Sequence, residues 1–212
     1  MFFLGKHITF PPVDFADEEG LLALGGDLSV DRLIYAYQQG IFPWYNEGQP
    51  ILWFSPNPRM VLFPADLKIS KSMRQILKSN IFKVTFNQDF KSVIENCSTI
   101  YRPGQNGTWI TDEMKEAYTE LYKINVAMSV EVWQDNDLVG GLYGVWLKDK
   151  GVFCGESMFT KVSNASKFGF IKLVHKLKEE GVTLVDCQVY TEHLASLGAR
   201  EIPRKEFLKF LK

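Results

Sequence analysis

Between Ala127 and Phe159 the chain places three extended runs in close succession, with no room for a helix between them. Ala127–Trp133 and Leu138–Leu147 flank a polar turn at Gln134–Asp137, and Val152–Phe159 follows the Lys150-Gly151 turn. Turns that tight join strands of one sheet. The period then changes. Asn164 can cap a long helix in which Phe170, Val174 and Leu177 share one face, and Gly181 can end it. Thr183–Val189 is again strand-like, and its return past a helix makes it a partly parallel neighbour.

The flanking segments complete the order. Phe82–Phe86 alternates as a strand, Asn87 can cap a helix over about 88–96, and Thr111 another over about 112–123. Asp112 and Glu113 suit the first turn of the latter. A short helix ends near Gly198, and Pro203 can open a last one. The order is strand, two helices, three strands, helix, strand, helix. It predicts an α+β domain with a mixed sheet and resembles the GNAT fold of the N-acetyltransferase superfamily, a resemblance that implies a splayed central sheet. In that superfamily a glycine-rich turn cradles the CoA pyrophosphate with backbone N–H groups. The corresponding junction here, Ser157 to Ser166, has no glycine. CoA is therefore not expected, although the scaffold fits.

Residues 1–60 differ in character. They hold three basic residues (Lys6, Arg32, Arg59) against seven acidic ones, so their charge is −4, and the chain's total of −1 leaves +3 for 61–212. This first part is rich in Pro and Gly. Its one clear helix has Ser29 as cap, Leu33, Ile34 and Tyr37 at helical spacing, and Gly40 as stop. The rest reads as ordered loops. A boundary near residue 60 divides a small N-terminal domain, 1–60, from a GNAT-like domain, 61–212. At 212 residues the chain is long enough for a sizeable core.

Several classes are excluded or disfavoured. No apolar run approaches the about 18 residues of a membrane span, and the N-terminus does not read as a secretory signal. Cys97, Cys154 and Cys187 fit neither a disulfide framework nor a zinc pattern, so a cytoplasmic protein is expected. With His7, His175 and His193 the only histidines, no metal site is expected.

Candidate chemistry lies on the last central strands. Glu156 falls in one, and Asp186 and Gln188 in its neighbour, where alternation puts them on one face with Cys187 on the other. Two buried carboxylates without a positive partner are expensive, so a cationic substrate group is the natural complement. Cys154 or Cys187 with His193 is a second reading, a thiol nucleophile and its base. Leu142, Phe153, Met158, Phe170 and Leu173 surround the polar residues and suit either core or a pocket for an apolar side chain. Lys71, Arg74 and Lys78 form one stripe of a helix that Ser70 can cap, in a tract from Leu67 to Gln88 without an acid. That stripe is a solvated face or a phosphate contact. Trp44 and Trp109 sit in turn-rich segments where a ring can stack on a base.

Longer motifs carry a resemblance. Gly20-Leu21-Leu22-Ala23-Leu24-Gly25-Gly26-Asp27-Leu28-Ser29, Gly40-Ile41-Phe42-Pro43-Trp44, Trp53-Phe54-Ser55-Pro56-Asn57-Pro58-Arg59, Gly107-Thr108-Trp109-Ile110-Thr111, Val139-Gly140-Gly141-Leu142-Tyr143-Gly144-Val145, Phe153-Cys154-Gly155-Glu156-Ser157-Met158-Phe159, Asn164-Ala165-Ser166-Lys167, Asp186-Cys187-Gln188 and Ser196-Leu197-Gly198-Ala199 resemble the leucyl/phenylalanyl-tRNA–protein transferases. The resemblance implies an aminoacyltransferase that moves Leu or Phe from Leu-tRNA or Phe-tRNA to proteins with N-terminal Arg or Lys. This marks them for N-end rule degradation, with no cofactor. It implies Glu156, Asp186 and Gln188 as the catalytic group. Trp44 and Trp109 would stack on the terminal adenosine, and Phe153 and Met158 would line the donor pocket. Leu142, Phe170 and Leu173 stand where well-studied members carry other large apolar residues. Lys71, Arg74 and Lys78 match a region facing the tRNA acceptor stem. A monomer is expected. The rivals are a CoA-dependent N-acetyltransferase and a noncatalytic tRNA-binding module, and the latter leaves Glu156, Asp186 and Gln188 without a role.

Overall fold

The computed structural model describes residues 2–100 and 108–212, so Gly107 of the Gly107–Thr111 motif lies outside the described residues. The elements in order are β1 (Phe2–Leu4), β2 (Leu21–Gly25), α1 (Val30–Gln38), β3 (Phe42–Pro43), β4 (Leu52–Phe54), β5 (Arg59–Leu62), α2 (Lys71–Lys78), β6 (Lys83–Phe86), α3 (Phe90–Thr99), α4 (Asp112–Lys123), β7 (Ala127–Gln134), β8 (Asp137–Leu147), β9 (Val152–Thr160), α5 (Ala165–Glu179), β10 (Leu184–Gln188), α6 (Glu192–Ser196), β11 (Arg200–Ile202) and α7 (Arg204–Phe207). A seven-stranded sheet in the order β11-β5-β10-β9-β8-β7-β6 carries the core. It is antiparallel except where β10 runs parallel to β9, the pair joined through α5. This is the α+β arrangement with a central mixed sheet that the order of elements predicts.

Alternation sorts the core onto two faces. Met60, Leu62, Phe153 and Val185 pack on the α5 side with Ile171, Leu173 and Val174. Val61, Val152, Cys154 and Leu184 face the other side, where α3, α4 and the N-terminal segment cover them. Val93, Tyr118 and Leu121 on that side have no exposed surface. Thr111 caps α4 by accepting from Met114 N–H at 3.3 Å, and Ser70 caps α2 by accepting from Met73 N–H at 3.2 Å.

Four expectations need correction. The first 60 residues are not loops around one helix: β1, β2, β4 and β3 form their own small sheet. Its strands are only 2–5 residues long, too short for a visible alternation. The segment at the expected boundary is a strand of the large sheet, β5, whose four residues are all buried and so show no alternation. The cap of α3 is Asp89, which accepts from Ser92 N–H at 3.1 Å. Asn87 instead takes a left-handed turn (φ 56°) and accepts from Ser129 N–H at 2.9 Å. Asn164 and Ser29 occupy cap positions but make no side-chain cap bond.

The feature that creates the site is a parting of two strands. β9 and β10 pair only at Val152↔Leu184, Phe153↔Val185 and Cys154↔Asp186. Just beyond, each strand carries a bulge against its other neighbour. Glu156 is the extra residue of β9 between Gly155↔Gly144 and Ser157↔Tyr143, and Cys187 that of β10 between Asp186↔Val61 and Gln188↔Met60. Bulges bend strands and re-aim side chains, and here both act at the same level. Gly144 lets the sheet close under them, since a Cβ there would lie 2.3 Å from Cys154 O and 2.4 Å from Phe153 Cζ. Gly144→Ala is therefore expected to destabilise the protein by about 1–3 kcal/mol through overpacking. A thermal melt checks this, and an unchanged Tm contradicts it.

Candidate active site

A cavity of about 550 Å³ opens where β9 and β10 part. One wall is apolar, formed by Leu142, Phe153, Met158, Phe170, Val185 and Leu194. The opposite side is built from Phe42, Pro43 and Trp44 of the N-terminal segment, with Ile100 and Trp109. Trp44 is exposed and tilted against Phe54, with ring centroids 5.6 Å apart. Trp109 is half-buried. The cavity thus brings together two rings from distant segments.

The polar floor is a continuous hydrogen-bonded chain. Arg59 Nε donates to Asp186 Oδ1 at 2.8 Å and Nη2 to Oδ2 at 2.7 Å, with both side chains buried. Asp186 Oδ1 also accepts from the Gln188 backbone N–H at 2.9 Å. The Gln188 amide donates through Nε2 to Glu156 Oε1 at 2.9 Å. Tyr118 OH donates to Glu156 Oε2 at 3.0 Å and shares a short hydrogen bond with Tyr37 OH. The chain therefore ties α1 and α4 to the strands that part.

Burial pushes the Glu156 carboxyl up to about 8; hydrogen bonds from Tyr37, Tyr118 and Gln188 oppose the rise, and the Asp186 charge adds to it. Burial, and then the Glu156 charge, raise the Tyr37 and Tyr118 phenols well above their ordinary value. At neutral pH the free site thus holds a protonated Glu156 beside an Asp186 already neutralised by Arg59.

The structure answers the thiol reading. Cys154 is 1% exposed, and burial pushes its thiol well above the ordinary value. Burial also raises Cys187. Neither is an activated nucleophile. His193 lines the cavity, and its pKa is lowered by burial and by Lys167. Among the described residues no cluster of His, Cys, Asp and Glu could hold a metal, and no helix is long and apolar enough to cross a membrane.

Of the expected site residues, Glu156, Asp186, Gln188, Leu142, Phe153, Met158, Phe170, Trp44 and Trp109 all line this one cavity. Leu173 does not: it has no exposed surface and packs in the core on the α5 side. Lys71, Arg74 and Lys78 are exposed on α2 and lie outside the cavity wall. The expectation that both carboxylates lack a positive partner is overturned by Arg59. Sequence reasoning also missed the roles of Tyr37, Tyr118 and Phe42. One signal was available for Arg59: an arginine opening an all-apolar buried strand needs an acid nearby.

The site is thus an apolar slot where a mixed sheet splits, lined by two tryptophans and floored by a hydrogen-bonded polar chain. Residues 61–212 match the family model for leucyl/phenylalanyl-tRNA protein transferase, and residues 26–57 match the model for that family's N-terminal domain. A leucyl/phenylalanyl-tRNA–protein transferase of Christiangramia forsetii is 66% identical over 211 residues, covering 100% of both chains. That of Flavobacterium johnsoniae is 64% identical over 212 residues, covering 100% of this chain and 99% of the relative. A GCN5-related N-acetyltransferase of Kribbella flavida aligns over 83% of this chain and 61% of its own at 11% identity, with a TM-score of 0.39. The chain belongs to the leucyl/phenylalanyl-tRNA–protein transferase family and is an aminoacyltransferase.

The raised Glu156 pKa makes stability depend on pH with a definite sign. An unfolded carboxyl ionises near the ordinary 4.5, whereas the folded one holds its proton to about 8. Between those values unfolding releases a proton, so the penalty on the folded state grows as pH rises and levels off above the folded pKa. Glu156→Gln removes it. The Tm of the variant relative to the native protein should therefore rise between about pH 5 and about pH 8.5. A gap constant over that range contradicts a protonated Glu156.

Proposed function

We propose that the protein transfers Leu or Phe from aminoacyl-tRNA to the α-amine of proteins with N-terminal Arg or Lys, so marking them for N-end rule degradation. The observation that carries this reading is the juxtaposition in one cavity of an apolar slot, two exposed or half-exposed tryptophans and the Glu156–Gln188 pair. The donor side chain occupies the slot against Phe153 and Met158, with Leu142 and Phe170 setting its depth. The terminal adenosine stacks on Trp44 and Trp109. The segment ahead of β5 acts as a small domain that supplies the adenosine wall, and the large sheet with its helices as the acyltransferase domain. Lys71, Arg74 and Lys78 meet tRNA phosphates, a salt-sensitive contact without sequence preference. The enzyme works in the cytoplasm as a monomer, without CoA, metal or other cofactor.

The ester is already activated, so the chemistry reduces to placement. The acceptor's neutral α-amine attacks the ester carbonyl carbon. A C–N bond forms, the C–O bond to the ribose breaks, the ribose hydroxyl leaves with a proton, and the amine gives up its own. Holding ester and amine together can supply about 7–11 kcal/mol of the barrier. A cation arriving beside Glu156 favours its ionised form, so acceptor binding displaces the proton it holds in the free protein. An amide is a poor base. Gln188 therefore positions the amine or stabilises developing charge.

The test uses labelled Phe-tRNA without CoA, with one peptide beginning with Arg and another beginning with Ala. Transfer to the Arg peptide alone is expected; transfer to neither overturns the reading. In the same assay Trp44→Ala should raise KM for the donor by about tenfold, the loss of one stacking contact of about 1–3 kcal/mol. An unchanged KM removes Trp44 from the donor site.

A further inference from the structure

Gln188 is held in a conformation that its own chemistry does not favour. Its φ is 63°, in the left-handed region, which a side chain with a Cβ rarely adopts. Such a backbone persists only where its surroundings over-determine it. Two contacts do so here. The bulge at Cys187 re-aims the strand, and Asp186 Oδ1 accepts the Gln188 N–H at 2.9 Å. From that backbone the Gln188 amide reaches Glu156.

Asp186 is in turn held by one residue. Arg59, at the start of β5, lies next to Met60, the register partner of Gln188. Its guanidinium grips both Asp186 oxygens at 2.8 and 2.7 Å. The guanidinium carbon lies between two rings, 4.8 Å from the centroid of Phe42 and 4.7 Å from that of Phe207. Among the described residues its third nitrogen, Nη1, has no acceptor, so the carboxylate fork and the two rings set its orientation. Phe42 also lines the cavity, two residues from Trp44.

We propose that Arg59 is a positioning residue for the transfer reaction. It locks Asp186, Asp186 locks the left-handed backbone of Gln188, and the Gln188 amide is thereby aimed at Glu156 and the reacting amine. The planar, bidentate fork is essential to this task, because a lysine ammonium holds one oxygen without fixing the plane of the carboxylate.

This inference rests on the transferase reading, and the experiment separates the two. Transfer kinetics are measured for the native protein, Arg59→Lys, Gln188→Ala and the double variant, with folding checked by thermal melts. If Arg59 acts through Gln188, Arg59→Lys lowers kcat by about tenfold or more with KM for the donor within about twofold, a misplacement effect. In the Gln188→Ala background the same substitution changes kcat by less than about twofold, because nothing is left to misplace. A merely structural role would give the same loss in both backgrounds. That equal loss, or no loss of kcat in Arg59→Lys, overturns the proposal. Should Arg59→Lys fail to fold, Phe207→Leu, which loosens one ring of the clamp outside the cavity wall, is put through the same cycle with the same two criteria. A native protein that transfers nothing overturns the functional reading and this inference with it, whereas active native protein with an unaffected variant overturns the inference alone.

Discussion

The hydrogen-bonded ladder between β9 and β10 stops at Cys154↔Asp186, and the rest of the site depends on that stop. Had the two parallel strands stayed paired, their side chains would have closed into core like those of β8 and β9. Bulges at Glu156 and Cys187 instead part them, and a cavity lined by side chains from both faces opens in the gap. The apolar wall is thus an extension of the α5-side core that the parting leaves uncovered. Phe153, 1% exposed, belongs to both.

The parting creates an electrostatic problem that the structure solves in two different ways. Asp186 is matched by Arg59 in a bidentate pair with both partners buried. Breaking such a pair leaves an uncompensated buried charge and is strongly destabilising, which makes it a fixed structural element. Glu156 is pushed toward its uncharged form by burial, while hydrogen bonds from Tyr37, Tyr118 and Gln188 favour the charged form and leave it poised between the two. One carboxylate therefore holds geometry while the other, poised near neutral pH, can answer an arriving cation. The polar floor thus combines a rigid support with a responsive group.

Much of the scaffold was legible because its signals are local and long. β7, β8 and α5 run for 8, 11 and 15 residues, enough for period and turn chemistry to agree. The small N-terminal sheet was not legible, since its strands are too short to alternate, and β5 was hidden by being buried on both faces. In the site, Glu156, Asp186 and Gln188 could be named from strand adjacency. Their linkage could not, because a bulge breaks the alternation used to place Gln188 and puts it at a positive φ. Arg59 and Asp186 are far apart in sequence, and Tyr37 reads as an ordinary helix core residue until α1 is seen against α4. Leu173 shows the opposite error: a sound apolar position on α5 points into the core rather than the cavity.

The central claim is that the gap between β9 and β10 is where the donor's acyl group and the acceptor's amine meet. A crystal structure with a phenylalanyl-adenosine analogue, its ester replaced by an amide, tests this most directly. The account predicts the phenyl ring against Phe153 and Met158, the adenine on Trp44 and Trp109, and the carbonyl carbon beside Gln188 and Glu156. An analogue bound with its side chain outside the slot, or away from the β9–β10 gap, would contradict it.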